Sequence, residues 1–330
     1  MILVHYWTEA RPVYKGILLM ILASFAFSCM DTIAKLMSAH YDPFQVVWAR
    51  YCSQSFWSLV VLAPFLTRLL KTQYLKLQVL RSGLLFGATL AFFSALPYLK
   101  LAELFAIFEV APLLITCLSF LILKEKVSLP RWVGVTIGLL GALIIIRPGT
   151  EVFTPYAFLP ILAASCFAGY SITTCFLGSE ESPWTNFLYT ALIGTVIASV
   201  LVIPKWQPIA PEDLPILASF GIIGGIGHLM LIFALRYTQA SILAPFSYFG
   251  LLYSSFWGFY VFDELPDFFT YLGAFVIVAS GIFVWYRENK KTVVAVMQDG
   301  YICGICLNSF APTFPSFSWG NSLKYGFQGV

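Results

Sequence analysis

Four charged side chains interrupt otherwise apolar stretches in the first third of the chain: Asp31, Lys35, Arg50 and Glu109. An ionisable group inside an apolar span is energetically costly, so it normally faces a cavity or a partner. Asp31 precedes Lys35 by four residues, which puts both on one helix face with the acid first, the favourable order. Together these groups have the chemistry to bind the charged ends of an organic ligand.

Glu109 differs from the other three because its own span offers it no local partner. Burial of a carboxyl group favours its protonated form, so Glu109 is our candidate for coupling proton binding to the movement of a ligand. Structural explanations stay open for the others. Lys35 lies near a helix end and could extend its ammonium group to the lipid headgroups, and Asp31 and Arg50 could neutralise each other as a pair.

The elements that hold these charges are apolar enough to cross a membrane. Of the 330 residues 59% are hydrophobic and 11% charged, whereas a soluble domain carries about 25% charged residues. A run of about 20 apolar residues spans the hydrocarbon layer as a helix. We predict an all-α polytopic membrane protein with ten spans, near residues 15–36, 44–66, 79–99, 102–123, 131–147, 154–177, 186–203, 214–235, 241–262 and 268–286.

The basic residues indicate the orientation of these spans. If the N-terminus is cytoplasmic and the spans alternate, most loop lysines and arginines, Arg81 among them, fall inside, and only Lys100, Arg147 and Lys205 fall outside. This bias follows the positive-inside rule. We therefore expect a multi-pass protein of the cell inner (plasma) membrane with both termini cytoplasmic. Residues 1–14 would be a short cytoplasmic segment, and the first span an uncleaved anchor.

The chain matches itself at an offset of 139 residues, which pairs Tyr98 with Tyr237 and Glu125 with Glu264. Each half holds five predicted spans, an odd number, so the second half must be inserted upside down relative to the first. We expect a 5+5 inverted repeat, with halves at residues 15–147 and 154–287. Inverted repeats of this kind underlie many secondary transporters, in which the halves expose a midplane site alternately.

At this offset, neutral residues of the second half take the place of the four charges: Tyr170, Thr174, Tyr189 and Tyr248. We therefore predict a cavity with charged recognition groups on one side and aromatic walls on the other. Tyr170 and Tyr248 are the candidate walls, and an aromatic ring there could stack on a ring or a cation. Such a cavity would suit an amphoteric organic metabolite.

The chain resembles the drug/metabolite transporter superfamily, specifically its EamA-like members. The resemblance covers roughly residues 15–287 and rests on Lys35, Arg50, the stretch from Phe120 to Glu125, and the second-half phrase Phe262-Asp263-Glu264. Residues 30–35 and 44–50 are similar to the branch that contains S-adenosylmethionine uptake carriers. The resemblance implies a secondary carrier of a small metabolite without a cofactor.

Other function classes lack their motifs in this chain. The three histidines, His5, His40 and His228, are scattered, and no His-Glu-x-x-His helix or Gly-rich phosphate loop occurs. We expect no enzymatic activity, cofactor, metal or nucleic-acid partner. The expected partners are the lipid bilayer and a small metabolite, such as an amino acid derivative or an S-adenosylmethionine-like compound, and a homodimer is compatible with the sequence. A non-transporting receptor or assembly subunit stays an alternative, and an integral-membrane enzyme is a weaker one.

Two prolines within predicted spans and the composition of the C-terminal region carry further structural information. Pro112 and Pro245 lie inside the fourth and ninth spans, where proline removes a backbone donor. These spans could break to line a cavity, or carry only a kink. Residues 292–330 change in composition, and we expect a poorly ordered tail in which Cys303 and Cys306 are too few for a metal site.

Overall fold

The computed structural model describes residues 12–124, 127–146, 155–178 and 180–264, followed by helical residues 268–269, 271–273, 275–276, 279–280, 282–284 and 286–287. All regular structure within these residues is helical. The predicted N-terminal segment (except residues 12–14), the tail at 292–330 with Cys303 and Cys306, and the repeat residue Glu125 lie outside the described residues.

The described part of the first half contains six helices of eight residues or more. They are α1 (Pro12–Met37), α2 (Pro43–Leu62), α3 (Leu75–Ala95), α4 (Leu101–Phe108), α5 (Ala111–Leu121) and α6 (Leu129–Ile146), with single turns at Ala63–Phe65 and Leu66–Leu69. The start of α2 shows how the sequence sets a helix end. Asp42 accepts a hydrogen bond from the backbone N–H of Phe44 at 3.0 Å, and Pro43 supplies a preset φ at the first helical position.

The second half repeats this order. It contains α7 (Phe158–Leu177), α8 (Pro183–Val202), α9 (Leu214–Tyr237) and α10 (Phe249–Phe262), with short turns at Pro155–Ala157, Ile203–Lys205, Pro211–Asp213, Ala240–Leu243 and Ala244–Phe246. The described residues between 268 and 287 are helical and follow α10.

The fourth and ninth predicted spans are both broken helices. Glu109 and Val110 separate α4 from α5, just before Pro112. In the second half Ser247 and Tyr248 precede α10, just after Pro245. The breaks therefore lie beside the two prolines, and Glu109 lies in the first of them.

Among the described residues, six helical segments are long and apolar enough to cross a membrane: Pro12–Met37, Leu75–Ala95, Leu101–Leu121, Pro155–Leu177, Pro183–Lys205 and Pro211–Tyr237. This is a multi-pass arrangement. α2 is long enough but less apolar, because Gln45, Arg50 and Gln54 occupy its buried face.

Helices α1 and α9 pack antiparallel. Gly16 near the start of α1 lies against Thr238 beyond the end of α9, while Gly224 inside α9 lies against Met30. Tyr98 beyond α3 stacks on Tyr156 before α7, with ring centroids 3.7 Å apart. The backbone N–H of Leu101, three residues beyond Tyr98, donates to Glu264, which pairs with Lys35 near the end of α1. α7 therefore begins at the end of the molecule where α1 ends. We call this the Lys35 end of the molecule and the opposite one the Arg81 end.

Candidate functional site

A cavity of about 110 Å³ lies between the two halves. Helices α1 to α4 supply most of its lining, and the second half adds Phe167, Leu231, Ser247 and Gly250. Six phenylalanine rings form its apolar walls: Phe27, Phe92, Phe93, Phe105, Phe108 and Phe167. A wall of aromatic faces can contact a planar ring or an organic cation.

Three of the predicted charges meet in this cavity: Asp31 from α1, Arg50 from α2 and Glu109 from the break after α4. At most 6% of each residue is exposed. No carboxylate and basic nitrogen among these three approach within the 4.0 Å of an ion pair, and no other described residue pairs with them. Since buried charges are normally paired, this arrangement leaves room for the charges of a ligand.

Arg50 keeps part of its hydrogen-bonding capacity free. Its Nη1 donates to the hydroxyl of Thr89, and its Cζ lies 4.8 Å from the centroid of the Tyr51 ring. Its Nε is buried and has no partner. A guanidinium group with unused donors can bind a carboxylate through two parallel hydrogen bonds.

The carboxyl groups of Asp31 and Glu109 also have hydrogen-bonding capacity that no described residue occupies. Asp31 accepts no hydrogen bond from the described residues and lines the cavity, and Glu109 has a buried Oε2 without a partner. A methyl group added at Gly250 would lie 3.9 Å from Glu109 Oε1, so the start of α10 faces this side chain. The lack of any local partner for Glu109 agrees with the sequence-based expectation.

Lys35, by contrast, lies away from the cavity lining. Its Nζ is 2.5 Å from Glu264 Oε1 and 4.7 Å from the centroid of the Phe262 ring. Glu264 Oε2 also accepts a hydrogen bond from the backbone N–H of Leu101 at 3.0 Å. Lys35 therefore joins the first half to the second at one end of the molecule.

The two predicted tyrosine walls are also absent from the cavity lining in this conformation. The Tyr248 hydroxyl donates to the carbonyl oxygen of Val135 at 3.1 Å, and its ring fills the space beside Gly138. Tyr170 is fully buried one turn beyond Phe167, the residue that lines the cavity in its place.

Sequence reasoning missed a buried polar network around Arg81, which the prediction had assigned to the cytoplasmic set. Arg81 is completely buried in α3 and donates to groups on α7 and α8. The helical spacing of Arg81, Leu85, Ala88 and Phe92 could have revealed this, because the last three line the cavity. The same network includes His228, which is fully buried and hydrogen-bonded, as expected for an interior histidine.

Comparisons with known proteins identify a family and several relatives of this chain. The pattern of the EamA-like transporter family matches residues 14–147 and again residues 154–286. An S-adenosylmethionine uptake transporter of Rickettsia prowazekii is 28% identical over 84% of this chain and 94% of its own length. A riboflavin transporter of Vibrio cholerae is 30% identical over 84% and 95%.

More distant similarity extends to other proteins. A pseudopaline exporter of Pseudomonas aeruginosa is 25% identical over 81% of this chain and 95% of its own length. One solved crystal structure superposes with a TM-score of 0.67 at 20% identity, and the match covers 85% of this chain and 99% of that one. Because the identity is this low, the superposition shows a shared fold and carries no information about function.

Proposed function

This chain belongs to the EamA-like transporter family, and on that premise we propose that it is a secondary active carrier of a small amphoteric metabolite. The family and the named relatives are transporters. In this proposal the carrier lies in the inner membrane with both termini cytoplasmic, as the basic residues favour. It works by alternating access of one central cavity, and ion gradients set the direction of transport.

One observation carries this proposal: Asp31, Arg50 and Glu109 face a single cavity between the halves without forming ion pairs. Leaving these three ionisable groups buried and without ion-pair partners destabilises the empty carrier. A ligand that supplies the missing partners recovers part of this free energy on binding.

The same charges favour a substrate class. A carboxylate would bind the free donors of Arg50, an ammonium or sulfonium group would bind Asp31, and a ring would fill the space between the phenylalanines. S-adenosylmethionine has all three features. Riboflavin has a ring but no charge, so it would leave the charges of the cavity buried and unpaired. We therefore place S-adenosylmethionine-like and amino acid-derived compounds ahead of flavins.

The cavity must widen to accept such a compound. Its volume of about 110 Å³ is below the roughly 300–1,000 Å³ of typical ligand pockets. The structure is therefore interpreted as a closed conformation. Movement of one half relative to the other would enlarge the site and open it to either side in turn.

Several features support a 5+5 inverted repeat with ten spans. α1 and α7 begin at opposite ends of the molecule, and the fourth and ninth spans break at corresponding places. The two family matches have nearly equal lengths. The halves at residues 15–147 and 154–287 would then be the two bodies that move.

The decisive experiment is counterflow in proteoliposomes. Vesicles are preloaded with S-adenosylmethionine, amino acids, riboflavin, nucleosides or sugars, and uptake of the matching labelled compound is followed. We expect protein-dependent exchange of an amphoteric compound, and a fall of about tenfold or more for Asp31→Asn and Arg50→Gln, because each removes one ligand contact. Glu212→Gln, at an exposed carboxyl group, is the matched control and should exchange normally.

Folded protein that exchanges none of these compounds would contradict the proposal. Substrate binding without flux would favour the receptor alternative instead. Exchange of riboflavin alone would retain a carrier and overturn the amphoteric substrate class.

A further inference from the structure

Arg81 forms a buried polar cluster between the two halves, outside the cavity. Its Nε donates to Thr174 Oγ1 at 2.7 Å, and its Nη1 donates to the Asn186 carbonyl oxygen at 2.8 Å and to Thr190 Oγ1 at 2.7 Å. Its Nη2 donates to the Tyr170 hydroxyl at 3.1 Å. All four acceptors belong to α7 or α8, so one side chain of the first half holds two helices of the second.

None of these acceptors carries a negative charge, and no carboxylate of the described residues forms an ion pair with Arg81. A buried charge without an opposite charge destabilises the structure, because hydrogen bonds replace only part of its lost hydration. The hydrogen bonds of Arg81 therefore join the helices at a net cost in stability for the closed state.

The fold does not depend on Arg81 to satisfy its partners. Thr174 donates to the Tyr170 carbonyl oxygen at 2.8 Å, and Thr190 donates to the Asn186 carbonyl oxygen at 2.9 Å. The Tyr170 hydroxyl lies 2.7 Å from His228 Nε2. An apolar residue in place of Arg81 would leave these hydroxyl groups bonded, and such replacements are often neutral or stabilising.

The cluster lies directly behind the cavity wall. Arg81, Tyr170 and His228 are each within one helical turn of a cavity-lining residue, namely Leu85, Phe167 and Leu231. His228 Nδ1 is also 3.0 Å from Gln54 Nε2, and Gln54 is one turn from Arg50. Movement of Arg81 relative to α7 and α8 would therefore shift both the cavity wall and α2, the helix that carries Arg50.

We propose that Arg81 is a positioning residue that closes the pathway between the halves at the Arg81 end and allows that end to reopen. This inference rests on the proposed carrier function. In the closed state the guanidinium holds α7 and α8 through neutral acceptors. When the halves separate, water reaches the guanidinium and restores its hydration, which offsets the lost hydrogen bonds. An ion pair would oppose separation more strongly because both charges attract each other.

The opposite end is closed by different chemistry. Lys35 and Glu264 form an ion pair across the halves there. Thr174, the residue that aligns with Lys35 at the offset of 139, instead accepts a hydrogen bond from Arg81 at the Arg81 end. The two repeats thus align in sequence, but their aligned residues form different closing contacts at the two ends.

The test compares Arg81→Met with Arg81→Lys and with Gln78→Met. Gln78 is the matched control, because it is buried one turn before Arg81 and donates to Asn186 Oδ1 at 2.6 Å without carrying a charge. The reporter is Ser24→Cys at a cavity-lining position, in a background that lacks the seven native cysteines. A membrane-impermeant maleimide is added from each side of oriented vesicles, and exchange rates and melting temperatures are measured alongside.

We expect Arg81→Met to slow labelling from the Arg81 end by about tenfold and to lower maximal exchange similarly, with KM within about twofold. Its melting temperature should be unchanged or higher. Arg81→Lys keeps the charge with fewer aligned donors and should restore part of the rate. Gln78→Met should label like the parent protein.

Faster labelling from the Arg81 end in Arg81→Met, or unchanged labelling and exchange, would overturn the inference. So would a lower melting temperature with activity lost in proportion to folded protein, which is the result of a purely structural role. Failure of the parent protein to exchange any compound would count against the carrier function, whereas the labelling ratio needs no substrate and decides the role of Arg81 separately.

Discussion

Lys124 and Asp263 lie 139 residues apart, and both have a left-handed backbone, with φ of 53° and 57°. They are the two non-glycine residues with positive φ in the described part of the chain. Each follows the second part of a broken span, α5 in the first half and α10 in the second. The offset is the same one that aligns Tyr98 with Tyr237, so the repeat seen in the sequence recurs in the backbone.

Replacing these two residues by glycine should have unequal effects. The left-handed conformation costs an ordinary residue about 1–2 kcal/mol, and aspartate tolerates it better than lysine. Glycine removes this cost but loses about 0.5–1 kcal/mol through its freedom in the unfolded chain. We expect Lys124→Gly to stabilise by about 0.5–1 kcal/mol and Asp263→Gly to be nearly neutral. Reversible unfolding in detergent measures both, and destabilisation by Lys124→Gly would contradict the strain argument.

Gly138→Ala should destabilise the protein because an added methyl group overlaps the Tyr248 ring. Displacing this ring also disturbs its hydrogen bond to Val135. We expect a loss of about 1–3 kcal/mol, as for other overpacked interiors. Gly83→Ala is the control, because nothing lies within 4 Å of the added group in α3, and it should gain about 1 kcal/mol from helix propensity. Equal effects of both substitutions would refute this packing.

The Lys35–Glu264 pair should show measurable coupling in a double-mutant cycle. Its side chains are 14% and 19% exposed, and the nitrogen–oxygen distance is 2.5 Å. We expect a coupling free energy of about 1–2 kcal/mol between Lys35→Met and Glu264→Gln, above the usual value for exposed pairs. The pair Lys205–Asp42, at 3.9 Å and with 56% of the lysine side chain exposed, should couple by less than about 0.5 kcal/mol. Coupling of the same size in both cycles would show that the Lys35 contact is not a closing contact.

Glu109→Gln should separate proton coupling from substrate recognition. If Glu109 takes up and releases the coupled proton, its amide analogue retains shape and burial but cannot titrate. We expect exchange by Glu109→Gln to become independent of pH between about 5 and 8, and driven uptake under a proton gradient to be lost. Asp31→Asn should instead raise KM and keep the pH dependence of the remaining exchange. An unchanged pH profile in Glu109→Gln would remove Glu109 from the coupling step.

The amino-acid sequence determined the membrane class and the repeat, and it marked the fourth and ninth spans as places for a break or a kink. These features depend on local composition and spacing, since a long apolar run has only one favourable solvent and proline in a helix interior removes a backbone donor. The same reasoning singled out Asp31, Arg50 and Glu109, because an ionisable side chain inside an apolar span is energetically costly and normally faces a cavity or a partner.

The tertiary structure alone decided which of these charges share a cavity and which pair elsewhere. Lys35 and Asp31 occupy one face of α1, but Lys35 pairs with Glu264, which lies 229 residues away in the chain. Arg81 looked like a loop cation and is instead buried against α7 and α8. Contacts between distant helices depend on how the two halves pack, and periodicity within one helix carries no information about the partner it meets.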